Sequence, residues 1–150
     1  MESEQSPYVV LQMDEERLWS ELYDLVVSLP PDRVDLAGYF PEGWSAKDLI
    51  GHVGSWLAEA GVVLERIRFG TYRRSEIDID AMNASFYAAL HDVAFLDVKA
   101  QAISARYRML RAWRSLPKPS VEADRWIAKA GPGHYAEHLP RLRDWVLEIG

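Results

Sequence analysis

Apolar residues recur every three or four positions along most of the chain, and strict two-residue alternation is almost absent. This spacing places the apolar side chains on one face of an α-helix, and it is not the spacing of a half-buried strand. It predicts helical segments at residues 15–29, 45–70, 78–91, 97–117 and 134–148. Because amphipathic helices bury their apolar faces against each other, we predict an all-α fold, an antiparallel four-helix bundle with long connections.

Polar residues in front of the apolar runs indicate where the helices begin. The clearest signal is Ser45 followed by Asp48, which resembles a capping box with the shorter Asp in place of Glu. The caps expected for three other helices are Asp14, Asp78 or Asp80, and Asp97. Residues 118–133 are rich in proline and glycine and are expected to form a connection with at most a short turn. Residues 1–7 are expected to be disordered.

The composition is that of a folded protein of one domain, residues 1–150, with 49% hydrophobic and 27% charged residues. The sequence contains no cysteine, which excludes a disulfide framework, a thiolate metal site and a cysteine nucleophile. No apolar run approaches the roughly 20 residues that span a bilayer, and the first residues are acidic and polar, unlike a signal peptide. We therefore expect a cytoplasmic protein with no membrane partner.

The formal net charge is −6, and this balance gives no electrostatic support for a nucleic-acid partner. A basic run consists of Arg106, Arg108, Arg111 and Arg114 on one predicted helix. We interpret this run as a solvated helix face.

The candidate chemistry lies in three of the four histidines. His134 and His138 are four residues apart at the start of the last predicted helix, so both rings project from one face of it. His52 lies about one turn inside the second predicted helix, which a bundle can place opposite the last one. Three neutral imidazoles around a divalent ion leave coordination positions open for water or substrate, as catalytic sites require.

Simpler interpretations of these residues stay open at this point. A histidine pair at this spacing is common on helix surfaces, and a single histidine inside a helix is often a hydrogen-bonded core residue. The fourth histidine, His91, is interpreted as a surface residue or a partner of the helix dipole. The segment His134–His138 also matches the inverted zinc-peptidase motif H-x-x-E-H, but only twelve residues follow it, too few to supply the required distant carboxylate ligand.

Two stretches resemble the DinB-like superfamily of metal-binding four-helix bundles, which includes the N-terminal domains of mycothiol-dependent maleylpyruvate isomerases. Residues 43–53, GWSAKDLIGHV, are similar to the family's W-[ST]-x-x-[DE]-[LV]-x-x-H segment. Residues 133–145, GHYAEHLPRLRDW, are similar to its closing H-x-x-x-H helix. The resemblance assigns the family's three metal-binding histidines to His52, His134 and His138. The approach to the last helix departs from the family, because Gly133 stands where a polar cap is usual.

The resemblance implies a divalent-metal-dependent enzyme that acts on small molecules, either a thiol-dependent transferase or a hydrolase. Zn and Ni are the expected metals, and the thiol would be an exogenous low-molecular-weight compound because the chain has no cysteine. Glu59 lies two turns after His52 and is the candidate catalytic base, unless it pairs with Arg66 or is simply solvated.

Two alternatives to the enzyme stay open. One is a non-catalytic, stress-associated protein that binds a metal or another ligand. The other is a structural helical dimer in which the histidines only pack. A homodimer is expected in any case, because bundles of this kind often pair through a helix face.

Overall fold

The structure is a computed structural model that describes residues 6–150, and every regular element within them is a helix. The elements are α1 (Pro7–Val27), α2 (Pro31–Val34), α3 (Ala46–Arg68), α4 (Ile79–Leu90), α5 (Phe95–Arg114), α6 (Val121–Ala130) and α7 (Pro132–Ile149). The prediction of an all-helical fold is confirmed. In this part of the chain no helix combines the length and the apolarity needed to cross a bilayer.

The four long helices α1, α3, α5 and α7 enclose one hydrophobic core. The most extensive packing joins α3 to α5 and α1 to α7, while α6 lies against both α3 and α7. Fully buried side chains at the centre of this core include Leu22, Leu57, Leu64, Met109 and Leu142.

Residue contacts show in which direction the long helices run. Along α3, Gly54 lies against Ala102 and Gly61 lies against Met109, so the numbers rise together and α3 is parallel to α5. In the other pair, α1 and α7, Glu15 contacts Tyr135 and Glu21 contacts Arg143, so these helices are parallel as well. The expected antiparallel arrangement therefore does not hold within either pair.

The two pairs are antiparallel to each other, since Tyr8 of α1 packs on Trp113 of α5 while Glu15 binds Arg106 further back along α5. The parallel direction within the α3–α5 pair is possible because the connection between these helices is long. Residues 69–94, which include α4, carry the chain back to the end of the bundle at which α3 began, so consecutive long helices need not reverse direction.

Several helix boundaries differ from the prediction. The first helix begins at Pro7, not near residue 15, because Ser6 accepts a hydrogen bond from the backbone of Val9. Of residues 1–7, which were expected to be disordered, residues 1–5 lie outside the described part of the chain. Ser6 and Pro7 are ordered as the cap and the first residue of this helix. Helix α6 replaces most of the connection expected at 118–133, with Ser120 as its cap. Two of the long helices also begin earlier than expected, at Phe95 and Pro132.

Two predicted helix starts are confirmed. The capping box of α3 has both of its hydrogen bonds, from the backbone of Asp48 to Ser45 and from the backbone of Ser45 to Asp48. The cap of α4 is Asp78, whose side chain accepts from the backbone of Ala81.

Gly54 allows the close approach of α3 and α5. A Cβ at this position would lie 2.8 Å from the Cβ and 2.9 Å from the Cα of Ala102, whereas a Cβ on Gly61 would meet its nearest neighbour at 3.7 Å. We expect Gly54→Ala to lower the free energy of unfolding by about 1–3 kcal/mol through overpacking. The control Gly61→Ala should raise it by about 0.5–1 kcal/mol through higher helix propensity. Urea denaturation measures both, and equal effects would contradict the close approach.

Candidate metal centre

Two helices supply the three histidines of the candidate site. His52 lies in the second turn of α3, whose first turn is held by the capping box. His134 lies in the first turn of α7 and His138 in the second, and Pro132 is the first residue of this helix. Proline is favoured at this position because a backbone N–H there would have no hydrogen-bond partner within the helix. The four-residue spacing aligns the two imidazoles of α7 on one face, and packing of the bundle brings His52 opposite them.

The three imidazoles meet through their Nε2 atoms. The Nε2 of His134 is 2.9 Å from the Nε2 of His52 and 3.1 Å from the Nε2 of His138. One ligand atom from each ring lies within 4.8 Å of the others, so the group could hold a metal ion. His134 and His138 are buried and His52 is partly buried. The convergence predicted from the sequence is present.

The surroundings keep all three rings neutral. Burial, and to a lesser degree the other two imidazoles, lowers the pKa of His52 to about 3. Burial and His138 lower the pKa of His134 to about 4, against a smaller opposite effect of the Ala130 carbonyl. Burial also lowers the pKa of His138, and the nearby carboxylate of Glu137 raises it by less. Neutral imidazole is the form that binds a metal, so the site is prepared for an ion near neutral pH.

The three side chains fit a divalent metal ion by the chemistry of their donor atoms. They offer three uncharged nitrogens on one side and an open cavity on the other, which is the pattern of sites that keep a position for substrate. The buried Nδ1 atoms of His52 and His134 have no hydrogen-bond partner within the usual distance and angle limits in residues 6–150. The Ala130 backbone oxygen still affects the ring of His134. The Nδ1 of His138, by contrast, lies 3.4 Å from the hydroxyl of Tyr39.

A cavity of about 830 Å³ opens beside the three histidines, and this volume suits a small organic molecule. Aromatic rings form much of its wall: Trp44 packs against His52 with ring centres 5.1 Å apart, and Phe40 packs against His138 at 5.8 Å. Further lining residues are Trp56, Tyr72, Ile77, Ile79, Asn83 and Trp126. The charged lining residues are Glu42, Glu122, Glu137, Arg74, Arg125 and Lys129, so both signs are represented.

The predicted catalytic base, Glu59, is partly buried on α3 but does not line this cavity. The seven-residue separation from His52 corresponds to a rise of about 10 Å along the helix axis. No ion pair with Arg66 forms among the described residues either. The carboxylate that does line the cavity beside a histidine is Glu137. Its signal in the sequence is the Glu of the H-x-x-E-H match, directly before His138.

The fourth histidine stands apart from the cluster, at the end of α4. The side chain of His91 is 46% exposed, and its Nδ1 lies 3.1 Å from the carboxylate of Asp48, which forms the α3 capping box with Ser45. The Nζ of Lys47 donates to the backbone oxygen of His91 at 2.6 Å. His91 therefore joins α4 to the start of α3, as a half-exposed side chain at a helix end.

One member of the basic run is not part of a solvated face. Arg106 donates two hydrogen bonds, of 2.8 and 2.6 Å, to the carboxylate of Glu15, which is fully buried. The hydroxyl of Tyr135 donates to the same carboxylate at 2.9 Å. This cluster lies across three helices and has no local sequence signal, because its acid and its arginine are 91 residues apart.

No protein-family model and no curated protein matches the sequence. Among solved structures, the crystal structure of an uncharacterised protein from Escherichia coli UTI89 has a similar fold, with a TM-score of 0.77 and 15% sequence identity. The likeness covers 92% of this chain and 91% of that chain. At this identity it shows the fold alone, and it assigns no activity.

Proposed function

We propose that the protein is a DinB-like, divalent-metal-dependent enzyme that acts on a small organic molecule in the cavity beside His52, His134 and His138. The single observation that carries the proposal is the convergence of three neutral imidazole Nε2 atoms at the wall of that cavity. A structural role alone needs neither an adjoining cavity of this size nor three rings that face one another. Zn and Ni suit such nitrogen ligands, and either ion would supply Lewis acidity to a donor atom of the substrate.

Other residues around the cavity would bind the substrate and accept a proton from it. The aromatic walls at Phe40, Trp44 and Trp56 exclude water from the side of the cavity nearest the histidines and favour a substrate with an apolar body. The carboxylate of Glu137 is exposed and lies close enough to His138 to influence its pKa, so it is the group we assign to accept a proton from the substrate. Glu59 stays a prediction with no contact that supports this role.

The reaction class comes from the resemblance to the DinB-like superfamily, which implies either a thiol-dependent transferase or a hydrolase. Since the sequence has no cysteine, a transferase that uses a thiol must take its sulfur nucleophile from an exogenous low-molecular-weight thiol. Hydrolysis is the other reaction that the same set of residues supports. The proposed assignment to the DinB-like superfamily rests on the two motif stretches and on the convergence of the three histidines that they contain. The homodimer stays a prediction.

The metal content of the protein tests the proposal. We expect about one divalent ion per chain in protein purified without a histidine tag, and loss of that ion in both His52→Ala and His138→Ala, because two imidazoles hold an ion much less tightly than three. Elemental analysis gives the stoichiometry. The matched control is His91→Gln, which removes the histidine outside the cluster and should retain the ion.

A wild-type protein that stays metal-free after incubation with Zn and Ni salts would overturn the enzyme proposal, and it would leave a helical protein whose histidines only pack. An ion that is bound while screens for thiol transfer and hydrolysis stay negative would favour a binding protein instead.

A further inference from the structure

We propose that Tyr39 is a positioning residue that selects the tautomer of His138 and thereby turns its Nε2 lone pair toward the metal. The inference rests on the proposed metal site. It concerns a residue outside both motif stretches, 99 positions before the histidine it contacts.

The hydroxyl of Tyr39 is a buried polar group with two neighbours on one residue. Its oxygen lies 3.4 Å from the Nδ1 of His138 and 3.4 Å from the backbone oxygen of the same residue. Tyr39 is fully buried, and a buried hydroxyl is stabilised only if it finds partners. In the described part of the chain its partners are these two atoms.

Only one arrangement of hydrogens satisfies both contacts. A carbonyl oxygen can only accept, so the single hydrogen of the Tyr39 hydroxyl is donated to the His138 backbone oxygen. The hydroxyl oxygen is then left to accept, and the Nδ1 of His138 must carry the hydrogen that it accepts. A neutral imidazole protonated on Nδ1 has its free lone pair on Nε2, which is the atom that faces His134 at 3.1 Å.

The backbone of Tyr39 is fixed by hydrogen bonds to two other residues. Its N–H donates to the oxygen of Trp44 at 2.8 Å, and its backbone oxygen accepts from the Nε of Arg141 at 2.9 Å. The ring also packs on Phe40 with centres 4.4 Å apart. A side chain fixed at these points cannot turn away, so its hydroxyl holds His138 in one tautomer.

The contrast with the other two ligands gives this contact its importance. The Nδ1 atoms of His52 and His134 are buried without a hydrogen-bond partner within the usual distance and angle limits among residues 6–150, so no side-chain hydroxyl selects the tautomers of those rings. Groups that hydrogen-bond the distal nitrogen of a metal-binding histidine typically change metal affinity about 10- to 100-fold. His138 is the ligand on which such a group acts in this protein.

The test is Tyr39→Phe, which keeps the ring and removes only the hydroxyl. In the metal-free protein, ¹⁵N NMR of the imidazoles should show His138 protonated on Nδ1 in the wild type and a mixture of both tautomers in the variant. Titration with Zn²⁺ alone should give a Kd about 10- to 100-fold weaker in the variant. The matched control is Tyr135→Phe, which removes a buried hydroxyl that bonds Glu15 and no histidine; it should leave both the tautomer and the Zn²⁺ affinity unchanged.

An unchanged His138 tautomer in Tyr39→Phe would overturn the inference, as would equal Zn²⁺ affinities for Tyr39→Phe and the wild type. Failure of the proposed function is a different result: the wild type itself would bind no Zn²⁺. In that case the NMR measurement on metal-free protein still decides whether Tyr39 sets the tautomer.

Discussion

Arg106→Met is expected to lower the free energy of unfolding by about 3–5 kcal/mol, because it leaves the carboxylate of Glu15 buried without its charged partner. Glu15 is fully buried and loses both of its hydrogen bonds from the arginine, keeping only that from Tyr135. A single remaining neutral donor does not offset the cost of a charge removed from water. Urea denaturation followed by tryptophan fluorescence measures the loss.

The matched control for this prediction is Arg143→Met. Arg143 also binds a glutamate of α1, Glu21, but both side chains of that pair are exposed, so the substitution should cost less than about 1 kcal/mol. Replacing both members of the buried pair, as Glu15→Gln with Arg106→Met, should recover part of the loss, since no buried charge then remains. Equal losses for Arg106→Met and Arg143→Met would show that the buried pair contributes no more than a surface one.

Acid is expected to destabilise the metal-free protein in the range where free histidine titrates. The pKa of His134 falls from 6.5 to about 4 on folding, so below pH 6.5 the unfolded chain binds a proton that the folded chain excludes. The stability that depends on the neutral ring is present above the unfolded pKa and is lost as the pH falls toward the folded pKa. Between the unfolded pKa and about pH 5, His134 alone accounts for about 2 kcal/mol.

Denaturation curves in a chelating buffer, taken at several pH values between about 7 and 4, measure this loss. His134→Gln should make the dependence shallower, because its side chain does not titrate, while His52 and His138, whose pKa values are also lowered, keep part of it. His91→Gln should retain it, since His91 lies outside the cluster. A slope that is the same in the wild type and in His134→Gln would mean that other groups cause the acid loss.

Local sequence signals determined much of the fold and the relative placement of two of the three histidines. The capping box at Ser45 and Asp48 placed the start of α3 correctly because both of its hydrogen bonds form within one turn. The four-residue spacing of His134 and His138 placed both rings on one face of α7, since helix geometry needs no tertiary information. The lack of cysteine likewise rules out thiolate ligands by composition alone, so nitrogen and oxygen donors are the candidates.

The sequence of α6 contains local signals for a helix, but the prolines and glycines around it favoured the prediction of a connection. Ser120 is a good cap, and Ala123, Ile127 and Ala130 are buried at the spacing of one helix face. The prolines and glycines on either side of this segment led to the expectation of a connection. Pro119 lies before α6, Gly131 lies between α6 and α7, and Pro132 is the first residue of α7, so none of them interrupts α6.

The tertiary structure alone decided everything that depends on residues far apart in the chain. It decided that His52 lies opposite α7, that Glu137 and not Glu59 lines the cavity, and that Tyr39 contacts His138. It also decided the parallel direction of α3 and α5, because a long crossover permits either direction and only packing such as that of Gly54 on Ala102 selects one. The physical reason is the range of the interactions. Caps and helical spacing act within one or two turns, whereas buried pairs and ligand sets form only when the whole core packs.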